Sequence, residues 1–174
     1  MFPSNGSSSI WRVASLPSGG SVVSGYFVDD VMLQQDTLVG VPGVWTQFLA
    51  VLDATGAVEW ALPLVSEDPS RIADLKVDQN GDILVYGRYN KTLTFGSCMI
   101  TPYASTNAFV ARFSAGGECK AAWGFGRVYY GSGSILPTAH GLYLSTEFDS
   151  TLVLGSHLVQ GTYTGEEQGY HDLM

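Results

Sequence analysis

The sequence predicts an all-β fold, a β-propeller-like tandem repeat of about sixty residues whose units are four-stranded antiparallel blades. Three observations lead there. Charged residues make up only 14% of the 174-residue chain while aromatics reach 12% and glycines number 21, a composition that favours short strands between turns over long helices. The stretch FLAVLDATGAVEW from Phe48 returns as FVARFSAGGECKAAW from Phe109. An offset of 61 residues thus places Phe48, Ala50 and Leu52 on Phe109, Ala111 and Phe113, and Gly56 on Gly117. Finally, VVSGYF from Val22 returns as LVYGRY from Leu84, with Gly25 on Gly87, and a third time as YLSTEF from Tyr143. Recurrence in a constant order decides an architecture before any single element does.

Taken in order, each unit reads as strands. In the second, IADLKVD from Ile72 alternates, Asn80 and Gly81 make a tight turn, and DILVYGRY returns, since Asn-Gly is a strong short hairpin signal. After the polar Asn90-Lys91 break, TLTFGSCMIT forms a short irregular segment, with TLVG from Thr37 and TLVLGS from Thr151 as its counterparts. The loop PYASTN then leads to AFVARFSA, a turn at Gly116 and Gly117, and ECKAAWGFG. Apolar positions fall on both faces of these strands, as expected of a sheet packed between two others. The expected pairing puts strands near Ile10, Val22, Phe48 and Val58 in one sheet and those near Ile72, Leu84, Phe109 and Cys119 in a second, stacked on the first. The units span 1–65, 66–126 and 127–174, the last a partial blade. A propeller has 4 to 8 blades, so further repeats of the same chain, or identical copies, are expected as partners.

The net charge of −8 with eight Lys and Arg supplies no basic stripe to neutralise phosphates, which argues against nucleic acid and anionic membranes as partners. No apolar run approaches the roughly 20 residues of a spanning helix, so no membrane insertion is expected. MFPSNGSSSIWR lacks the basic start and apolar stretch of a signal peptide, so any export signal is expected to be removed or to lie outside this sequence.

Few residues carry a chemical signature. Asp78, Asn80 and Asp82 alternate as at the start of a calcium loop, but Gly81 is fourth rather than sixth and Tyr89 occupies the twelfth position, where such a loop needs a bidentate Glu. A plain turn is the competing reading; calcium is the one cofactor left open. Asp29, Asp30 and Asp149 fall in the turns after YF and EF, with Asn90 as the second unit's equivalent. His140, His157 and His171 are scattered without metal-ligand spacing. GFGRVYYGSGS from Gly124 lacks the Gly-Lys-Ser/Thr ending of a phosphate loop and reads as a linker between units. Cys98 and Cys119 lie in one unit, with Val58 at the Cys119 position of the first. A pair arising together in one unit is expected to be a disulfide, worth about 3 kcal/mol and pointing to an oxidising compartment; two small core residues are the alternative.

The glycine after an apolar strand, the Thr-Leu and Phe-Gly pairs, FVARF, a small-residue turn and Trp60-Ala61 together resemble the SBBP-type β-propeller repeat of bacterial exported and cell-surface proteins, over almost the whole chain. In the second unit Ala121 stands at the position of Trp60, and Trp123 follows two residues later; Gln47 and Asn107 occupy the polar position before the FVA strand. The resemblance implies a propeller, a secreted or cell-surface location and no catalytic residues. The favoured function is accordingly a noncatalytic module acting as scaffold, adhesion or ligand-binding unit, for which a carbohydrate or surface protein is a candidate partner. Tyr103, Tyr129, Tyr130 and Tyr163 are available to stack on sugars or to pack between blades. The alternatives are a structural subunit of a surface layer or fibre, and a carbohydrate-active enzyme drawing acids from Asp29, Asp30, Asp149 or Glu147.

Overall fold

The computed structural model of the chain describes residues 6–128, 132–148, 151–154, 157–160 and 172–173. Its regular structure is strand, with no helix among the described residues. β1 (Ser8–Ser15) and β2 (Ser21–Val28) form a hairpin, β3 (Asp30–Leu33) and β4 (Asp36–Val39) make a separate ribbon, and β5 (Trp45–Leu52) returns beside β2 to be followed by β6 (Val58–Leu64). The first sheet is therefore antiparallel in the order β1-β2-β5-β6. The next stretch repeats this path with β7 (Arg71–Val77), β8 (Ile83–Tyr89), the ribbon β9 (Leu93–Phe95) and β10 (Cys98–Ile100), then β11 (Asn107–Phe113) and β12 (Cys119–Arg127). Its sheet runs β7-β8-β11-β12. Both sheets hold the strands expected from the sequence.

Local chemistry fixes the turns. All four hairpins of these sheets close through three residues, with the amide of the fourth turn residue bonded back to the first carbonyl at 3.0 Å, as from Gly56 to Asp53 and from Gly81 to Asp78. The fourth residue is in each case a glycine at φ between 81° and 90°, the left-handed position of a type I turn with a G1 bulge. The Asn80-Gly81 turn is thus one residue longer than a two-residue hairpin. The ribbon also differs from the sequence reading: TLTFGSCMIT is a two-stranded hairpin. TLVG lies on the second strand of its ribbon, opposite DVML, whereas TLTF enters the first strand of the next. Both ribbon strands alternate, so a match by pattern slid by one strand. GFGR of the expected linker belongs to β12.

The two sheets share an apolar core. One face of the second, through Leu75, Val85, Ala111, Phe113 and the ribbon's Leu93 and Phe95, packs on Leu16, Val22, Leu49, Val51 and Leu64 of the first. Polar contacts cross the same junction: Trp60 Nε1 donates to the Ala115 carbonyl at 2.7 Å, the Ile72 amide to Gln47 Oε1 at 3.2 Å, and Arg12 Nε to the Ala73 carbonyl at 3.1 Å. The opposite face of the first sheet, with Val23, Phe48 and Ala50, is covered by its own ribbon through Val31, Leu33 and Leu38. Gly25 and Gly87 sit under the rings of Phe48 and Phe109, where a Cβ would come within 2.9 and 2.6 Å of ring carbons and would collide with the carbonyls of Ser9 and Arg71.

Beyond the second sheet, β13 (Gly133–Thr138) and β14 (Gly141–Phe148) form a hairpin, β15 (Thr151–Leu154) and β16 (His157–Gln160) a ribbon, and β17 (Asp172–Leu173) pairs with the end of β14. Ile135, Phe148 and Leu152 pack on Leu84, Tyr86, Val110 and Phe125 of the second sheet's far face. Tyr86 Oη shares a 2.6 Å hydrogen bond with Thr146 Oγ1, and buried Asp74 accepts from the Ile135 amide at 2.9 Å.

Candidate functional site

The residues singled out from sequence separate into two regions. Asp78 Oδ1 accepts from the amides of Asn80 and Asp82 at 2.8 and 3.0 Å, closing the turn by its own side chain. Its other oxygen accepts from Arg112 Nη2 at 2.6 Å, Arg112 Nε reaches Asp82 at 2.8 Å, and Lys120 Nζ lies 2.6 and 2.9 Å from the two Asp82 oxygens. Burial pushes the Asp82 carboxyl up, but the Lys120 hydrogen bond and the charges of Arg112 and Lys120 outweigh it and hold the group below its ordinary value. The carboxylates that suggested calcium therefore face two side-chain cations, and no cluster of three or more metal-ligating side chains occurs among the described residues.

The described acids considered for catalysis lie on separate elements, at the β2–β3 corner and on β14. Asp29, at φ 65°, accepts from the Gly43 amide at 2.8 Å and shapes the β2–β3 corner; Asp30 opens β3. Glu147 lies on β14. Asp149, Tyr129, Tyr130, Tyr163 and His171 lie outside the described residues, and His140 is an exposed turn residue of the β13–β14 hairpin.

The second region is a cleft of about 770 Å³ between the β12 edge of the second sheet and the β13–β14 hairpin. Strand alternation builds it. Trp123 and Phe125 project from the same face of β12, opposite Val110 and Ala108 of β11, and Leu142, Tyr143 and Leu144 supply the facing wall. Met99, Ile100 and Tyr103 close one end. Exposure is high for an apolar site: 54% for Trp123, 66% for Tyr143 and 78% for Tyr103.

Rigid groups hold these side chains. The buried Asn107 accepts from the amides of Tyr103 and Ala104, both at 2.9 Å, and returns a bond to the Ala104 carbonyl at 2.8 Å, so the loop carrying Tyr103 is tied to the start of β11. Tyr89 Oη donates to the Thr101 carbonyl at 2.9 Å and lies where a Cβ on Gly124 would be. Burial, reinforced by the nearby Tyr103, pushes the Tyr89 hydroxyl up to about 12. A disulfide joins Cys98 of β10 to Cys119 of β12, fixing the ribbon that carries Met99 and Ile100 to the edge strand that carries Trp123.

Among the described residues the lining carries no charged side chain; its polar groups are the hydroxyls of Thr101, Tyr103 and Tyr143, the indole N–H of Trp123 and exposed backbone. Such a surface recognises apolar or flat faces and backbone amides rather than ions. Of the residues read from sequence, only Tyr103 and the cysteines reach this region. Trp123 faces the cleft, and Tyr143 and Met99 were not singled out from sequence. Alternation puts Trp123 on one face with Phe125 but carries no signal that this face is open at Trp123 and covered at Phe125. Asn107 also has a different counterpart than expected. Pairing to Tyr89 equates it with Thr46, opposite Phe27, rather than with Gln47.

No protein-family model and no curated protein matches this chain.

Proposed function

We propose that the chain is a noncatalytic module of β-propeller type, similar to the SBBP repeat, which works outside the cell as a scaffold or adhesion unit and binds a ligand in the aromatic cleft. The single observation that carries binding is the uncharged cleft with three exposed aromatic rings mounted on a cross-linked sheet edge. The propeller reading is supported by two successive sheets of equal strand order stacked face to face, and by the interlocking Gly25–Phe48 pair, which recurs as Gly87–Phe109 in the next sheet. Location outside the cell is supported by the disulfide, which persists in oxidising compartments.

The test is a titration of tryptophan emission against soluble oligosaccharides, apolar small molecules and extended peptides, with Trp123→Ala as the reference. A saturable shift that the variant loses, while keeping its circular dichroism, supports the binding reading. No saturable response to any class would overturn it. A second reading, a structural subunit assembling copy to copy, is favoured by Ile10 and Val13, which are 45% and 69% exposed on the first sheet although their equivalents Ile72 and Leu75 are buried in the second. Sedimentation showing concentration-dependent growth that Val13→Lys abolishes would select it.

A further inference from the structure

Charge is spread unevenly over the chain. Between Arg12 and Arg71 the sequence has seven Asp and Glu and no Lys, Arg or His, whereas the remainder sets nine acids against all eight Lys and Arg. Strand order gathers part of this excess at one end of the first sheet. Because β1-β2-β5-β6 is antiparallel, the end of β2, the start of β5 and the end of β6 lie together. Asp29 follows β2, Trp45 opens β5, and Glu67 lies in the segment between β6 and β7. Since β5 runs between β2 and β6, Trp45 has an acidic segment on either side. Asp29 and Glu67 are exposed, and neither makes an ion pair among the described residues.

Trp45 is the outer ring of a stack. It lies nearly parallel to Tyr26, with 8° between planes and 4.5 Å between centroids, and Tyr26 meets Trp11 at 4.9 Å. At the other end the guanidinium of Arg71 lies over Trp11, 5.6 Å from the ring centroid. At these separations the rings are in contact and leave no slot for a ligand between them. Tyr26 covers one face of Trp45, yet Trp45 is 48% exposed, so the open area is its other face and its edge. The mount is rigid. Asp29 Oδ1 accepts from the Gly43 amide and the Asp29 carbonyl from the Gly40 amide, both at 2.8 Å, and the Val44 amide donates to the Val41 carbonyl at 3.0 Å. A ring held in this way loses little freedom when a ligand arrives.

We propose that this end of the first sheet is a docking site for an arginine-bearing segment of a partner protein, with one guanidinium stacked on the open face of Trp45 and its neighbours drawn to the acidic segments of Asp29 and Glu67. A cation over an aromatic face is attracted by the ring quadrupole, and the stack already holds one such contact at Arg71. Guanidinium is planar, weakly hydrated and forked to suit carboxylates, which an ammonium is not. Carboxylates on both sides of the ring match a segment with several cations rather than one small ion. A second copy of a chain at net −8 is repelled instead. The surface belongs to the first unit, so this site is separate from the aromatic cleft.

The probe is the synthetic peptide Gly-Arg-Gly-Arg-Gly-Arg-Gly, set against the same peptide with citrulline, an uncharged isostere, in place of arginine. Binding to the disulfide-intact chain is read by calorimetry and by the indole N–H resonance of Trp45, assigned by its absence from Trp45→Phe. The arginine peptide should shift that resonance saturably, the citrulline peptide should not, and added salt should weaken the affinity. Trp45→Ala should weaken binding about two- to fivefold, the range of a cation–π contact at an exposed site. Asp29→Asn keeps an oxygen for the Gly43 amide while removing the charge. Combined with Glu67→Gln it should weaken binding with circular dichroism unchanged, so the test survives if Trp45→Ala alters the fold. Equal binding of both peptides, or no saturable shift with either, overturns the proposal. So does salt-sensitive binding that a folded Trp45→Ala leaves at full strength, which marks diffuse attraction to an acidic surface. Binding lost in Trp123→Ala but kept in Trp45→Ala also overturns it, and leaves the cleft as the peptide's site.

Discussion

Replacing Gly87 with alanine tests whether the sheets are held by the close approach of strand and ring that recurs at Gly25. A Cβ at Gly87 would collide with the Arg71 carbonyl oxygen and come within 2.6 and 2.9 Å of Phe109 Cε1 and Cζ. The first obstacle is backbone of the adjacent strand β7, paired to β8 across this position, and the second is a ring with no exposure. Neither can rotate away as the end of a flexible side chain would. Overpacking of a core costs about 1–3 kcal/mol; with backbone as one wall, the expectation is the upper end, about 3 kcal/mol. Gly116→Ala is the control. Its Cβ meets nothing nearer than Ser114 Oγ at 3.8 Å, so the change should be neutral or stabilise by up to about 1 kcal/mol through the unfolded chain. In urea, with a slope of about 2 kcal/mol per M, Gly87→Ala should lower the midpoint by about 1.5 M and Gly116→Ala should not lower it. Midpoints that agree within about 0.3 M, a difference of about 0.6 kcal/mol on the same slope, would show that strand-to-ring contact does not govern the stacking.

Cys98→Ser with Cys119→Ser opens a loop whose ends are 21 residues apart and should cost about 3 kcal/mol in urea unfolding; unreduced wild-type protein should yield no alkylatable thiol, and finding two would remove the cross-link. Asp82 is held below its ordinary value by Lys120 and Arg112 against the opposing effect of burial. Its contribution to stability is therefore present above the unfolded value of 3.8 and is lost as pH falls through the lower folded value, so Arg112→Gln should blunt the acid-induced loss of stability seen in pH-dependent melting. Tyr89, pushed up to about 12 mainly by burial, favours folding while neutral. Stability should be complete below about pH 10, the ordinary tyrosine value, and decline between there and 12. Tyr89→Phe should flatten that decline in melts across this range, and an unchanged alkaline profile would show that another group controls it.

The order of strands was legible because it rests on local chemistry. Gly56, Gly81 and Gly117 mark turns that only a left-handed residue closes easily, and alternation between them assigns each strand two faces. Register was less legible. TLVG was matched to TLTFGS although the two lie on opposite strands of their ribbons, and Asn107 was matched to Gln47 although pairing equates it with Thr46. In both cases neighbouring segments carry the same polar and apolar pattern, so a shift changes no local preference. Only the partner strand distinguishes them.

The site was hidden for a related reason. In a sheet with two apolar faces, alternation says which side chains share a face but not whether that face is covered. Leu62, at the position equivalent to Trp123, is partly buried against the core between the first two sheets, and Trp123 is open. The two differ through what β13 and β14 bring to the next layer, which is decided tens of residues away. The disulfide, by contrast, was legible, because two cysteines arising in one unit carry a pairwise signal that requires no knowledge of the neighbouring layer. It also shows why the open face is a usable surface. The cross-link fixes β10 to β12, and Asn107 and Tyr89 fix the loop bearing Tyr103, so the exposed aromatics are held in place before any ligand arrives. Side chains already ordered lose little freedom on binding. Reduction of Cys98–Cys119 should accordingly weaken ligand binding in the cleft, read as the saturable change in tryptophan emission, more than it perturbs the β1–β2–β5–β6 sheet, where neither cysteine lies.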